Sequence, residues 1–183
     1  PDEFKKATIV TQPKSEQVKN GETAVVTVEA VGPGLTYQWY FKNKGDNSFA
    51  KSSIKTNTYT VKMSSTSRDR SVYCVIKDNK GNSVKSNTVV LRMAATITKE
   101  SAVPSLAKLN ANASVTVTAI GDGLTYQWYV KNPGSSSYVK SSITAATYSA
   151  KMTAKINGRH VYCVVTDKYG KTVKSNTVSM KMK

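Results

Sequence analysis

The sequence predicts an all-β molecule made of two tandem copies of one antiparallel β-sandwich. Three observations predict it. Residues 34–40 (GLTYQWY) recur as residues 123–129, and the same offset then holds without a gap to the end of the chain. Apolar and polar residues alternate over short runs separated by Gly-, Pro- and Asn-rich turns, which is the pattern of half-buried strands. No helical apolar period persists over a useful length.

The elements of the first copy follow in order. Thr8 and Ile9 open the first strand and match Thr96 and Ile97 after a one-residue shift of the offset. Residues 23–31 (TAVVTVEAV) read as one strand with Val26 and Val28 on a shared face. Residues 32–34 (GPG) turn the chain. In residues 35–41 (LTYQWYF), Tyr37, Trp39 and Phe41 point inward, and Gln38 and Tyr40 outward. After the turn at residues 43–47, residues 58–63 bury Tyr59, Val61 and Met63 and turn Lys62 out. Residues 71–76 (SVYCVI) bury Val72, Cys74 and Ile76 and expose Tyr73. A hairpin turn at residues 78–81 leads to a last strand that buries Val89, Leu91 and Met93. Later matches are residues 51–54 with 140–143, 72–75 (VYCV) with 161–164, and 84–89 (VKSNTV) with 173–178.

Copies of this length form domains, placed at residues 1–93 and 94–183. No Gly/Ser- or Pro-rich linker separates them. So short a joint restricts relative motion and predicts a semi-rigid, monomeric rod within a larger chain.

Trp39 on the third main strand and Cys74 on the sixth, repeated as Trp128 and Cys163, resemble the pairing of an immunoglobulin-like sandwich. Two positions depart from it. Val28 and Val117 stand where the second cysteine is expected, so neither domain has an internal disulfide. Val72 and Val161 stand where that fold carries its corner tyrosine. The motifs TYQWY, VYC, TD-x-YG and SNTV are more closely similar to bacterial immunoglobulin-like domains strung along large surface or secreted proteins of Gram-positive, clostridial anaerobes. That resemblance implies an extracellular or cell-surface location and the role of a spacer or adhesive module.

The net charge of +16, from 27 basic and 11 acidic residues, attracts polyanions. The lysines are scattered, and the arginines are Arg68, Arg70, Arg92 and Arg159. That distribution argues against a nucleic-acid reader. No apolar run is long enough to span a membrane. Along the gap-free stretch only Asp78 and Asp167 are acidic in both copies, and both sit in a hairpin turn, where Asp is a common turn former. His160 is the single histidine and is Ser71 in the first copy. No paired carboxylates, Cys–His metal spacing or phosphate loop occurs. The sequence therefore predicts no catalytic residue, no metal site, no cofactor and no enzyme.

The candidate ligand-binding residues lie on the outward face of the third and sixth strands: Gln38, Tyr40 and Tyr73, with Gln127, Tyr129 and Tyr162 in the second copy. Tyrosines are enriched at binding surfaces. Paired outward rings also stabilise a sheet without any ligand. The expected function is a non-catalytic spacer or adhesive segment. One alternative is a dedicated binder of a host glycoprotein (a mucin or an immunoglobulin) or of a polysaccharide through the tyrosine faces. Another is polyanion binding through the lysines. The copies diverge most at residues 44–49 against 133–138 and at 65–71 against 154–160, where sandwich loops specialise.

Overall fold

A computed structural model describes residues 6–101 and 106–183. The chain forms two compact units, Pro1–Met93 and Ala94–Lys183. The first contains β1 (Thr8–Thr11), β2 (Glu16–Val18), β3 (Thr23–Thr27), β4 (Glu29–Val31), β5 (Thr36–Lys42), β6 (Ala50–Lys51), β7 (Thr58–Lys62), β8 (Arg70–Lys77), β9 (Ser83–Lys85) and β10 (Val89–Met93). One layer holds the pairs β1–β4 and β3–β7. The other runs β2-β10-β8-β5-β6, with β9 also on β8. All pairs are antiparallel except β2 with β10.

The second unit contains β11 (Thr96–Lys99), β12 (Asn112–Thr116), β13 (Thr118–Ile120), β14 (Thr125–Lys131), β15 (Val139–Lys140), β16 (Thr147–Lys151), β17 (Arg159–Thr166), β18 (Thr172–Lys174) and β19 (Val178–Met180). It repeats the pairing: β11–β13 and β12–β16 in one layer, β15-β14-β17-β18 with β19 on β17 in the other. A parallel bridge between Ala107 and Met182 stands where β2 meets β10 in the first unit.

Period-2 alternation positions the cores. Trp39, Val72, Cys74, Ile76, Leu91 and Met93 line one layer and face Val26, Val28, Tyr59 and Met63 on the other, all buried. The Trp39 indole donates to the Thr56 carbonyl at 2.9 Å and leans on Tyr59 at 5.6 Å. Trp128 repeats this with the Ala145 carbonyl and Tyr148. Cys74 and Cys163 are buried free thiols, register partners of Trp39 and Trp128.

Three features differ from the sequence reading. The run 23–31 changes partners at Val28: β3 pairs with β7 and β4 with β1, so one strand serves two neighbours. Asp78, read as a turn former, also reaches across 71 residues to accept the Ala7 amide at 3.0 Å. Arg70, which the sequence reading left unplaced, is an interlayer tie. It donates to Asn43 at 2.8 Å and to the Tyr59 hydroxyl on β7 at 2.9 Å, and lies over the Phe41 ring. Arg159 makes the same bonds to Asn132 and Tyr148.

Candidate functional site

The outer face of the sheet that carries β5 and β8 is the surface feature most fully repeated in both units. Trp39 opposes Cys74 on the inner face, so the next register pair, Tyr40 and Tyr73, must face outward. Their rings stack at 5.0 Å and 11°. Tyr129 and Tyr162 do so at 5.1 Å and 12°. The structure thus brings together the tyrosine pairs expected from the sequence, but half-buries them where full exposure of Tyr73 was expected.

The reason is a set of neighbours that sequence reasoning missed. Phe49, at the end of a divergent loop, meets Tyr73 edge-on at 4.8 Å, and Tyr138 meets Tyr162 at 4.9 Å. The ammonium of Lys85 on β9 lies 4.0 Å from the Tyr73 centroid, and that of Lys174 on β18 lies 3.9 Å from Tyr162. Lys42 and Lys131 lie over Phe49 and Tyr138 at 5.3 and 5.2 Å. Since β8 runs between β5 and β9, Tyr40 covers one face of the Tyr73 ring and Lys85 the other. Tyr73 therefore presents its edge and hydroxyl rather than an open face, and Tyr162 does the same between Tyr129 and Lys174. One signal for the missing members was present: Phe49 and Tyr138 are aromatic at equivalent positions in loops that otherwise differ.

Gln38 and Gln127 lie half-buried beside the stacks, each with its side-chain nitrogen tied to the backbone. The Gln38 amide nitrogen donates to the carbonyls of Trp39 at 2.8 Å and Ser52 at 2.9 Å. Gln127 donates likewise to Trp128 and Ser141. These bonds pin the segment after β6 against the sheet. The Gln38 side-chain carbonyl accepts from the Lys55 ammonium.

None of the four stacked phenols donates or accepts a hydrogen bond among the described residues. Burial, then the Tyr40 phenol, hold the Tyr73 hydroxyl above the ordinary tyrosine range. Burial, then Tyr129 and Tyr138, do the same for Tyr162. Both remain neutral donors at physiological pH. β5, β6, β8 and β9 contain no Asp or Glu, so the face is basic throughout.

A groove of about 310 Å³ opens beside Tyr40, lined by Thr36, Gln38, Lys51, Lys55 and Lys77 among others. Elsewhere, His160 is exposed and borders a shallow depression with Lys131 and Asn132. Among the described residues no group of three His, Cys, Asp or Glu side chains is placed to hold a metal ion. No helix there is long and apolar enough to cross a membrane.

No protein-family model matches the sequence, and no curated protein matches it. Solved structures do match. The N-terminal four Ig domains of Dscam1 isoform 7.44 superpose with a TM-score of 0.61 at 16% identity, over 100% of this chain and 47% of that one. Extracellular domains 3–5 of Drosophila OTK superpose with a TM-score of 0.59 at 17% identity, over 97% and 62%. A Dscam structure concerned with isoform specificity gives 0.57 at 15%, over 97% and 46%. This chain spans about half the length of the Dscam structures and 62% of the OTK one. At these identities the likeness is one of fold: the chain is two tandem immunoglobulin-like sandwiches without intradomain disulfides.

Proposed function

We propose that this chain is a non-catalytic adhesive segment of a bacterial cell-surface or secreted protein, and that each domain offers its outer tyrosine–lysine face to a glycan or glycoprotein. The observation that carries the reading is the phenol hydroxyl. Ring stacking explains an aromatic at each of the four positions, and phenylalanine would stack as well. Yet all four are tyrosine, and no described residue bonds their hydroxyls. The loops around the face diverge while Tyr40, Tyr73, Lys42 and Lys85 recur as Tyr129, Tyr162, Lys131 and Lys174. Bacterial origin and an extracellular location rest on the sequence resemblance, and the immunoglobulin-like fold is compatible with both.

The test is capture on the immobilised tandem from mucus, serum and microbial polysaccharide fractions at physiological salt. The comparison is a variant with Tyr40→Phe, Tyr73→Phe, Tyr129→Phe and Tyr162→Phe, which keeps the stacks. A partner held by the native chain and released by the folded variant is expected. Equal retention by both would remove the phenols from the site. No partner at all would leave a spacer without adhesion.

A further inference from the structure

We propose that the groove beside Tyr40 in the first domain is a site for an anionic polysaccharide bearing carboxylate or sulfate groups, and that the second domain lacks its full equivalent. The proposal deepens the adhesive reading above and rests on it for the class of partner. Three exposed lysines, Lys51, Lys55 and Lys77, converge on this groove. They come from three places: β6, the segment after it, and the end of β8. No carboxylate lies on the strands that build the face. The ion pair of Lys44 with Asp69 uses none of these lysines.

The groove is prepared rather than incidental. Gln38 is fixed through its amide nitrogen by two backbone carbonyls and holds the Lys55 ammonium on its own carbonyl. A cation whose position is set in advance loses less side-chain freedom on binding an anion. Tyr40 adds a hydroxyl donor to the lining, and the Thr36 hydroxyl, which donates to the Lys77 carbonyl at 3.4 Å, adds an acceptor. Such a mixture of ammonium and hydroxyl groups suits a charged sugar, whose acidic group takes the lysines while its ring hydroxyls take the neutral donor and acceptor.

Nucleic acid fits less well. The groove has no arginine fork for phosphate. Both faces of the Tyr73 ring are covered, by Tyr40 and Lys85, so that ring is closed to base stacking.

The repeat supplies an internal control. Lys51 recurs as Lys140, but Lys55 is replaced by Thr144 and Lys77 by Thr166. Gln127 keeps both amide bonds of Gln38. The scaffold persists while two of the three ammonium groups are gone.

The experiment titrates the full tandem with polygalacturonate, dextran sulfate, neutral dextran and single-stranded DNA at ionic strength of about 0.15 M. Circular dichroism checks the fold of each variant. The K55T/K77T chain should bind at least one acidic polysaccharide roughly ten-fold more weakly than the native chain. The T144K/T166K chain should gain affinity or a second equivalent of bound polymer. The carboxylated and sulfated polymers identify which acidic group is preferred. Unchanged affinity in K55T/K77T, equal binding of neutral dextran, or tighter binding of DNA than of both polysaccharides would each overturn the proposal. The Y73F/Y129F/Y162F chain, which leaves the Tyr40 hydroxyl in the groove, separates this result from the broader reading. Polysaccharide binding lost with the lysines but kept without those phenols leaves the groove standing and removes the phenol site. The opposite pattern removes the groove and keeps the phenols.

Discussion

At Asp78 a single buried carboxylate joins two distant chain segments. It accepts the Ala7 amide from just before β1, and the Lys80 and Asn82 amides and the Asn82 side chain from its own turn. Burial pushes its pKa upward, but these donors outweigh it and the net shift is downward. Asp167 repeats the reach by accepting the Ala95 amide at 3.1 Å. The turn role was legible in the sequence, because Asp is a turn former within its own hairpin. The latch was not, because its partner lies 71 residues away. Gly32 completes this end of the domain. A side chain there would come within 3.0 Å of the Ala7 backbone, at a φ of +146° that favours glycine. The two cysteines give a pH prediction. Burial, eased by the backbone N–H of Gln38, pushes the Cys74 thiol from 9.0 up to about 11. Cys163, beside the backbone N–H of Gln127, is shifted likewise. A raised native pKa means that the unfolded chain loses its proton first. The stabilisation is therefore complete below pH 9 and declines as pH rises toward 11. Urea midpoints measured between pH 8 and about 10.5 should fall with rising pH. The C74A/C163A chain, less stable throughout by about 1–2 kcal/mol per domain, should show a shallower fall. A disulfide-exchange reagent at pH 8 should leave both native thiols unmodified, and rapid modification would contradict their burial.

Across the strands, alternation decided most of the architecture, and its failures share one cause. Trp39, Tyr40, Cys74 and Tyr73 took the faces that a period of two assigns them. Val28 did not end a strand by pattern, because Val26 and Val28 stay buried while the partner changes from β7 to β1. Alternation reports burial and is blind to which neighbour supplies the hydrogen bonds. For the same reason Lys85 could not be placed over Tyr73 from sequence: the run 84–89 leaves the sheet ladder at Ser86. There the Ser86 hydroxyl takes over, accepting the Cys74 amide at 2.9 Å and donating to the Asn87 carbonyl. Phe49 was hidden by the loop it closes. The stack built from these pieces makes a prediction at the scale of the sheet. Tyr73→Ala removes the contacts with Tyr40, Phe49 and Lys85 together, and should destabilise the first domain by about 2–3 kcal/mol in urea unfolding. Tyr73→Phe should stay within about 0.5 kcal/mol of the native value, since the hydroxyl has no partner among the described residues. A large loss with phenylalanine would make the hydroxyl structural and weaken the adhesive reading.

For the chain as a whole, the charge of +16 must be separated from the groove, because any polyanion is drawn to so basic a protein. Long-range attraction depends on net charge and is largely screened beyond about 8 Å at physiological ionic strength. Groove contacts depend on position and persist there. Two variants of equal charge distinguish them. K55T/K77T removes two lysines of the groove. K62T/K151T removes two exposed lysines from β7 and β16, on the layer opposite the candidate face. Both chains carry two fewer positive charges, so both should leave a sulfonate cation exchanger at nearly the same, lower salt. Their binding of acidic polysaccharide at ionic strength of about 0.15 M should differ, with K62T/K151T near native and K55T/K77T roughly ten-fold weaker. In low salt the two should converge, since there the summed field dominates. Equal weakening at physiological salt would assign the interaction to net charge alone. The lysines of β5, β6 and β8 would then serve solubility, and any specific recognition would fall to the phenol edges.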